Sequence, residues 1–287
     1  KVIAMILRLA GLGCGLLALL AACTGASPTP TPAPTATSTP TPTATSTPTL
    51  APEIWLPAPN TSWQWQLTGL PVDLSIEAEM YDIDLFENDA AVVAELHRLG
   101  RLAVCYMSAG SWEEWRPDAQ EFPAEVRGAT LAGWEDERWL DVRRLDVFGP
   151  IMGARMDLCL SKGFDAVEPD NVDGYLNESG FPLTYDDQLA YNIRLAEMAH
   201  ERGLSIGLKN DMDQIPDLLA HFDWALNEQC FQFDECDTLR PFIEAGKAVF
   251  HVEYELDTGE FCTRANALDF SSLSKNLDLD AWREPCT

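Results

Sequence analysis

Short apolar runs that end in carboxylate, amide or lysine side chains recur along this chain, most of them separated by segments of helical spacing. The fullest example is 163–175, where Phe164, Ala166 and Val167 run straight into Glu168, Asp170 and Asp173 between two glycines. Alternation along a strand aims Glu168 and Asp170 to one side, although Pro169 must bend the chain between them. A solvated turn rich in Asp and Asn would give the same residues once. Repetition argues for a site, because carboxylates massed at the end of a buried strand cost desolvation energy unless they bind something or do chemistry. Comparable strands are predicted at 63–67, 80–84, 102–107, 204–208, 222–226 and 248–252, with a weak last one at 270–274. Between them, helices are predicted over 88–99, 148–162, 185–202, 217–222, 238–245 and, briefly, 263–268, several closed by a glycine.

Eight strands with nearly continuous apolar character, alternating with helices, predict a parallel sheet covered on its outer face. The economical solution is an α/β fold of the (β/α)8 TIM barrel type. A doubly wound open sheet competes, but no Gly-rich phosphate loop follows the first strand. In a barrel the C-terminal strand ends share one mouth. Asp82, Asp84, Tyr106, Glu168, Asp170, Asn171, Lys209, Asn210, Asn227, Glu228, Glu253 and Tyr254 are therefore the candidate site residues. The excursion between the third strand and the next helix carries Trp112, Trp115, Trp134 and Trp139. These are expected mainly to anchor it to the core, with a sugar-stacking wall as the alternative.

Composition changes the picture at the N-terminus. Lys1 and Arg8 accompany an apolar run, 9–22, too short for a membrane span and ending Leu20-Ala21-Ala22-Cys23. That pattern reads as a secretory signal over 1–22 and resembles the lipobox of bacterial lipoproteins, in which Cys23 would become the lipidated terminus. Residues 27–49 are all Ser, Thr, Pro or Ala. Such a segment cannot build a core and favours extended polyproline II, so 23–56 is expected to be a stalk, with the 23 residues of 27–49 alone reaching ~70 Å from a membrane. The folded domain is then 57–287.

A net charge of −27 argues against nucleic acid and favours cationic partners. Cleavage before Cys23 would make the chain two charges more negative. Beyond the signal region lie Cys105, Cys159, Cys230, Cys236, Cys262 and Cys286. An even number in an exported protein suggests disulfides, of which the simplest set joins Cys105 to Cys159, Cys230 to Cys236 and Cys262 to Cys286. No zinc-type spacing of Cys and His occurs, and neither a metal nor a cofactor is expected.

Two carboxylates across a sugar suffice for glycoside hydrolysis. No GxSxG, HExxH or phosphate cradle competes, and Lys209, among so many acids, is expected to stay charged rather than form a Schiff base. The blocks 81–86 (YDIDLF), 108–118 (SAGSWEEWRPD), 137–143 (ERWLDVR), 163–175, 183–192 (LTYDDQLAYN), 207–211 (GLKND), 227–231 (NEQCF) and 248–255 (AVFHVEYE) resemble glycoside hydrolase family 114, the endo-α-1,4-polygalactosaminidases. The resemblance implies a barrel that cleaves galactosamine-containing exopolysaccharide. It also implies a catalytic pair at the ends of strands four and six, which fall at Asp170 and Glu228. The expected partner is a cationic galactosamine polysaccharide, met by a monomer that touches membrane only through its lipid. An inactive sugar-binding barrel and an α-galactosidase of neutral glycans are the alternatives.

Overall fold

In the computed structural model, which describes residues 54–286, the apolar runs form eight parallel barrel strands. These are β1 (Trp63–Gln66), β2 (Met80–Asp84), β3 (Leu102–Ser108), β4 (Ala166–Asp170), β5 (Ser205–Lys209), β6 (Trp224–Glu228), β7 (Val249–Glu253) and β8 (Ser271–Lys275). Each pairs in parallel with the next, β1 on β2 through β7 on β8. The expected signal segment, Cys23 and the stalk lie outside the described residues.

Among the described residues no backbone ladder joins β8 to β1. A sheet edge leaves unpaired N–H and C=O groups that need partners, and the chain after β8 supplies them. It turns back as an antiparallel strand, Arg283–Pro285, on β8. On the way Leu279 O accepts from Leu67 N at 2.9 Å and from Thr68 N at 3.2 Å. Gln64 Nε2 donates to Ala281 O and Trp63 Nε1 to Ser271 O, both at 2.8 Å. The barrel is thus nearly closed, with a wedge of C-terminal chain at its seam.

Side chains fill the barrel rather than leaving a pore. Trp63, Trp65, Met80, Val104, Ala166, Trp224, Leu226, Phe250, Val252 and Leu273 form an interior cluster separate from the layer under the helices. Trp224 and Phe250 meet edge to face, with ring centroids 5.4 Å apart. Gly207 is required there, since a Cβ would lie 2.3 Å from the Trp224 ring. This plug of rings is the floor on which the mouth is built.

The outer helices are α1 (Ala90–Arg98), α2 (Leu145–Lys162), α3 (Tyr185–His200), α4 (Ile215–Leu218), α5 (Arg240–Glu244) and α6 (Thr258–Ala267). Their starts follow capping chemistry. Asp89 accepts from Ala91 N and Val92 N, while Thr184 with Asp187 and Asp257 with Glu260 make capping boxes. The Asp257 box starts α6 five residues before the expected helix, and Pro216 near the N-terminus of α4 sets a start two residues early. The excursion after β3 holds an unforeseen antiparallel sheet of Ser111–Glu113, Arg127–Leu131 and Trp134–Leu140. All three expected disulfides are present.

Candidate active site

Lys209 ends β5 with its side chain 3% exposed, and its ammonium collects carboxylates from neighbouring strand ends. Nζ lies 2.8 Å from Asp170 Oδ1, 3.2 Å from Glu168 Oε1 and 3.3 Å from Glu228 Oε2. Beneath it the Trp65 ring, centroid at 4.8 Å, offers its negative face. Burial acts to lower Lys209, but Asp170, Glu228 and Glu168 outweigh it and raise it well above the ordinary lysine value. It is a fixed cation.

Asp170 ends β4. Tyr106 from β3 donates its hydroxyl to Oδ2 at 2.9 Å, and Asn171 N donates to Oδ1 at 2.8 Å. Burial opposes the charge of Asp170, yet the Lys209 ammonium and these donors prevail and hold it below the usual carboxylate range. Glu228 ends β6. Asn210 Nδ2 donates to its Oε2 at 3.1 Å, and the Tyr254 hydroxyl, just past β7, donates to Oε1. Burial raises both tyrosines well above their ordinary value, so each is a neutral O–H donor. Asn227 Nδ2 reaches Asn210 Oδ1 at 3.2 Å, which aligns the amide that holds Glu228.

Backbone conformation at these ends is unusual. Asn171, Asn210 and Gln229 follow β4, β5 and β6 directly, and all have positive φ, 63°, 50° and 64°. Asp211 follows with 44°. Non-glycine residues there are uncommon and gather at functional sites. Asn and Asp tolerate the region best, which accounts for the amide-rich strand ends.

Three of the expected contacts face elsewhere or lie deeper. Asp84 gives both oxygens to Arg116, at 2.6 and 3.0 Å, and accepts from Phe86 N and Glu87 N. Glu253 is fully buried and holds Phe231 N at 2.8 Å and His251 Nε2 at 3.0 Å, bracing the loop that follows Glu228. Asp82 is fully buried, with Glu168 and Lys209 among its charged neighbours. Trp112 and Trp139 anchor the excursion at 7% and 6% exposure, whereas Trp115 and Trp134 are each half exposed.

Other residues were not foreseen. Glu137, on the excursion's sheet, accepts from Ser111 Oγ at 2.7 Å, and Asn171 Nδ2 reaches that Oγ at 3.2 Å, linking the small sheet to the end of β4. Burial pushes Glu137 up to about 7. Asp173 is raised to about 6 by burial and by Asp170, and Asp211 to about 8 by burial and by Asp173. The signal for Asp173 was present in the 163–175 stretch. Glu137 sits in an alternating segment whose charged residues disguise a strand. Among the described residues one metal-type cluster occurs, Cys230, Cys236 and His251, but its two sulfurs are bonded to each other.

A model of glycoside-hydrolase family GH114 matches residues 44–287. The chain belongs to this family. As a GH114 member it is a glycoside hydrolase of the polygalactosaminidase type. It is similar to Aspergillus fumigatus Ega3, solved in complex with galactosamine, at 43% identity over 82% of this chain and 98% of that one, with a TM-score of 0.78. The glycoside hydrolase domain of PelA from Pseudomonas aeruginosa shares the fold at 13% identity, 78% and 97% coverage and a TM-score of 0.62. An α-galactosidase from Thermus thermophilus shares it at 16% identity, 77% and 59% coverage and a TM-score of 0.50. Among curated proteins nothing matches.

Proposed function

We propose that this GH114 enzyme cleaves α-1,4-linked galactosamine-containing exopolysaccharide within the chain and with retention, Asp170 acting as nucleophile and Glu228 as acid and base. The observation that carries the reading is the convergence of these two carboxylates on one buried ammonium at the ends of β4 and β6. Their Lys209-facing oxygens can be no further apart than 2.8 and 3.3 Å taken together. That bound, set by the nearest oxygens, is compatible with the ~5–5.5 Å carboxyl separation of a retaining enzyme. Similarity to a protein solved with galactosamine supports the sugar.

In the first step Asp170 Oδ attacks the anomeric carbon as the glycosidic C–O bond breaks, and Glu228 passes a proton to the departing oxygen. In the second, water loses a proton to Glu228 and attacks the same carbon, releasing Asp170 as a carboxylate. Lys209, Tyr106 and Asn171 N keep the nucleophile ionised at the outset. The substrate's amines are cations near neutral pH, and an acidic mouth concentrates them. Asp170→Asn and Glu228→Gln are expected to lower kcat on a partly deacetylated galactosamine polymer by about three orders of magnitude or more. The wild type is expected to prefer that polymer to its fully acetylated form, by a margin that shrinks with salt. Near-normal turnover by Asp170→Asn, or equal cleavage of both polymers, would refute the assignment or the charge preference respectively.

We further propose that the enzyme works outside the cytoplasm, tethered through Cys23. The apolar run, the Leu-Ala-Ala-Cys sequence and the Pro/Thr-rich stalk support this. Cys23→Ala is expected to move the protein out of the membrane fraction; unchanged fractionation would remove the tether.

A further inference from the structure

We propose that Asp82 and Glu168 are not sugar ligands but a buried carboxyl pair that acts through Lys209 on Asp170 and Glu228, and thereby sets the alkaline limit of turnover. This rests on the assignment of nucleophile and acid given above. Both side chains are completely buried, on strands β2 and β4 that flank β3. None of their four carboxylate oxygens receives a hydrogen bond from a backbone N–H, a hydroxyl or an amide. What they have is the Lys209 ammonium, 3.2 Å from Glu168 Oε1, and each other.

Two carboxyl groups buried side by side cannot both ionise, and the arrangement is satisfied when one proton lies between them. Burial, then the charge of Glu168, raises Asp82 well above the ordinary carboxyl range, and burial raises Glu168 to about 7. Asp82 therefore carries the shared proton and donates it in a hydrogen bond to Glu168, and Glu168 is the member whose charge changes near neutrality. The groups facing it are Asp82 from β2, Tyr106 from β3, Asp170 on its own strand, Lys209 from β5 and Tyr254 after β7. Glu228 of β6 lies across the Lys209 ammonium. Both tyrosines are neutral, so the exchange of charge is among the acids and Lys209.

The consequence for catalysis follows from sign. An ionised Glu168 competes for Lys209 and adds negative charge near Glu228, which favours a proton on the acid. A neutral Glu168 leaves Lys209 to Asp170 and Glu228 alone, which favours loss of that proton. The nucleophile has its own safeguards in Tyr106 and Asn171 N. The pair thus separates the two carboxylates' requirements: the acid must keep its proton while the nucleophile must lose its own.

The test is the pH dependence of kcat/KM on a partly deacetylated galactosamine oligomer, which reports the free enzyme. Glu168→Gln removes the charge and is expected to move the alkaline limb down by about one pH unit. KM at the optimum is expected to change by less than about two-fold. Asp82→Leu removes the donor that keeps Glu168 ionised and is expected to move the limb the same way, with the double variant moving no further than either single one. The infrared difference between wild type and Asp82→Asn at neutral pH is expected to show a buried protonated-carboxyl band belonging to Asp82, the absorption of Asp211 and Glu137 cancelling between the two proteins. Thermal unfolding of each variant checks that it folds. A raised KM with an unmoved limb would make the two residues sugar ligands, and an unmoved limb with unchanged KM, or a missing carboxyl band, also overturns the proposal. A wild type inactive on every galactosamine polymer overturns the functional reading instead, and the infrared band then decides the pair alone.

Discussion

At Tyr254 a single hydroxyl fixes one oxygen of Glu228. Tyr254 donates to Glu228 Oε1 while Asn210 serves Oε2, so one phenol and one amide donor fix the carboxyl plane of the proposed acid. A hydrogen bond to a charged group is worth about 1.5–3 kcal/mol. Tyr254→Phe, which keeps the ring in place, is therefore expected to lower kcat by about ten- to a hundred-fold with little change in stability. Steady-state kinetics with a parallel denaturant titration would check this, and a loss of stability without a loss of kcat would assign Tyr254 to packing. Tyr106 on Asp170 is the matching device at the end of β4, and neither tyrosine was distinguishable in sequence from a residue that simply touches sugar. What marked them was position alone, at or just past a strand end.

At the scale of elements, the excursion after β3 is a small sheet held to the barrel by charge. Arg116 pairs with Asp84 at 2.6 Å and Glu113 at 2.7 Å, all with side chains 5% exposed or less. Arg155 from α2 grips Asp118 at 2.7 Å and donates to Ser108 O at 2.7 Å. Breaking one partner of a buried ion pair leaves an uncompensated charge and costs about 3–5 kcal/mol. Arg116→Met is expected to lose that much stability in a urea titration and to open 111–140 to limited proteolysis. Activity is expected to fall too, because Trp134–Leu140 carries Glu137 and its link through Ser111 to Asn171. An intact digestion pattern would show that the Trp112 and Trp139 anchors suffice. This sheet was illegible in the sequence for a physical reason: Trp134–Leu140 exposes Trp134, Glu135, Asp136 and Arg138 and buries Glu137, so its apolar alternation is almost erased. The barrel strands were legible because they are covered on both faces and read as continuous apolar runs. β8 was faint since its Ser271, Ser272 and Ser274 fill narrow space at the seam with small side chains. Topology put the candidate residues at the strand ends, but it could not show that Asp84 and Glu253 turn to brace loops.

The molecule as a whole combines a net charge of −27 with a set of buried acids that prefer to hold protons. Burial is the first cause at each: Asp173 rises to about 6, Glu137 and Glu168 to about 7, and Asp211 to about 8. In the unfolded chain such groups lose their protons near 4. A folded value raised above the unfolded one gives stability that is complete below the unfolded value and disappears as pH rises through the folded one. Between about pH 4 and 8 the native state therefore binds more protons than the unfolded state, and stability falls as pH increases. Asp170, whose value is depressed, acts in the opposite sense and only in more acid solution, where its contribution is lost as pH falls through its folded value. The folded enzyme is thus expected to have its highest Tm in the mildly acid range and to lose it steadily toward pH 8. Asp211→Asn retains the oxygen that Asn192 holds at 2.8 Å and is expected to flatten the upper part of that slope, because the highest of these four values is gone. Calorimetric Tm measured across this range in both proteins checks the sign directly, and a Tm that climbs from pH 5 to pH 8 would mean that the buried acids are paired in solution rather than protonated.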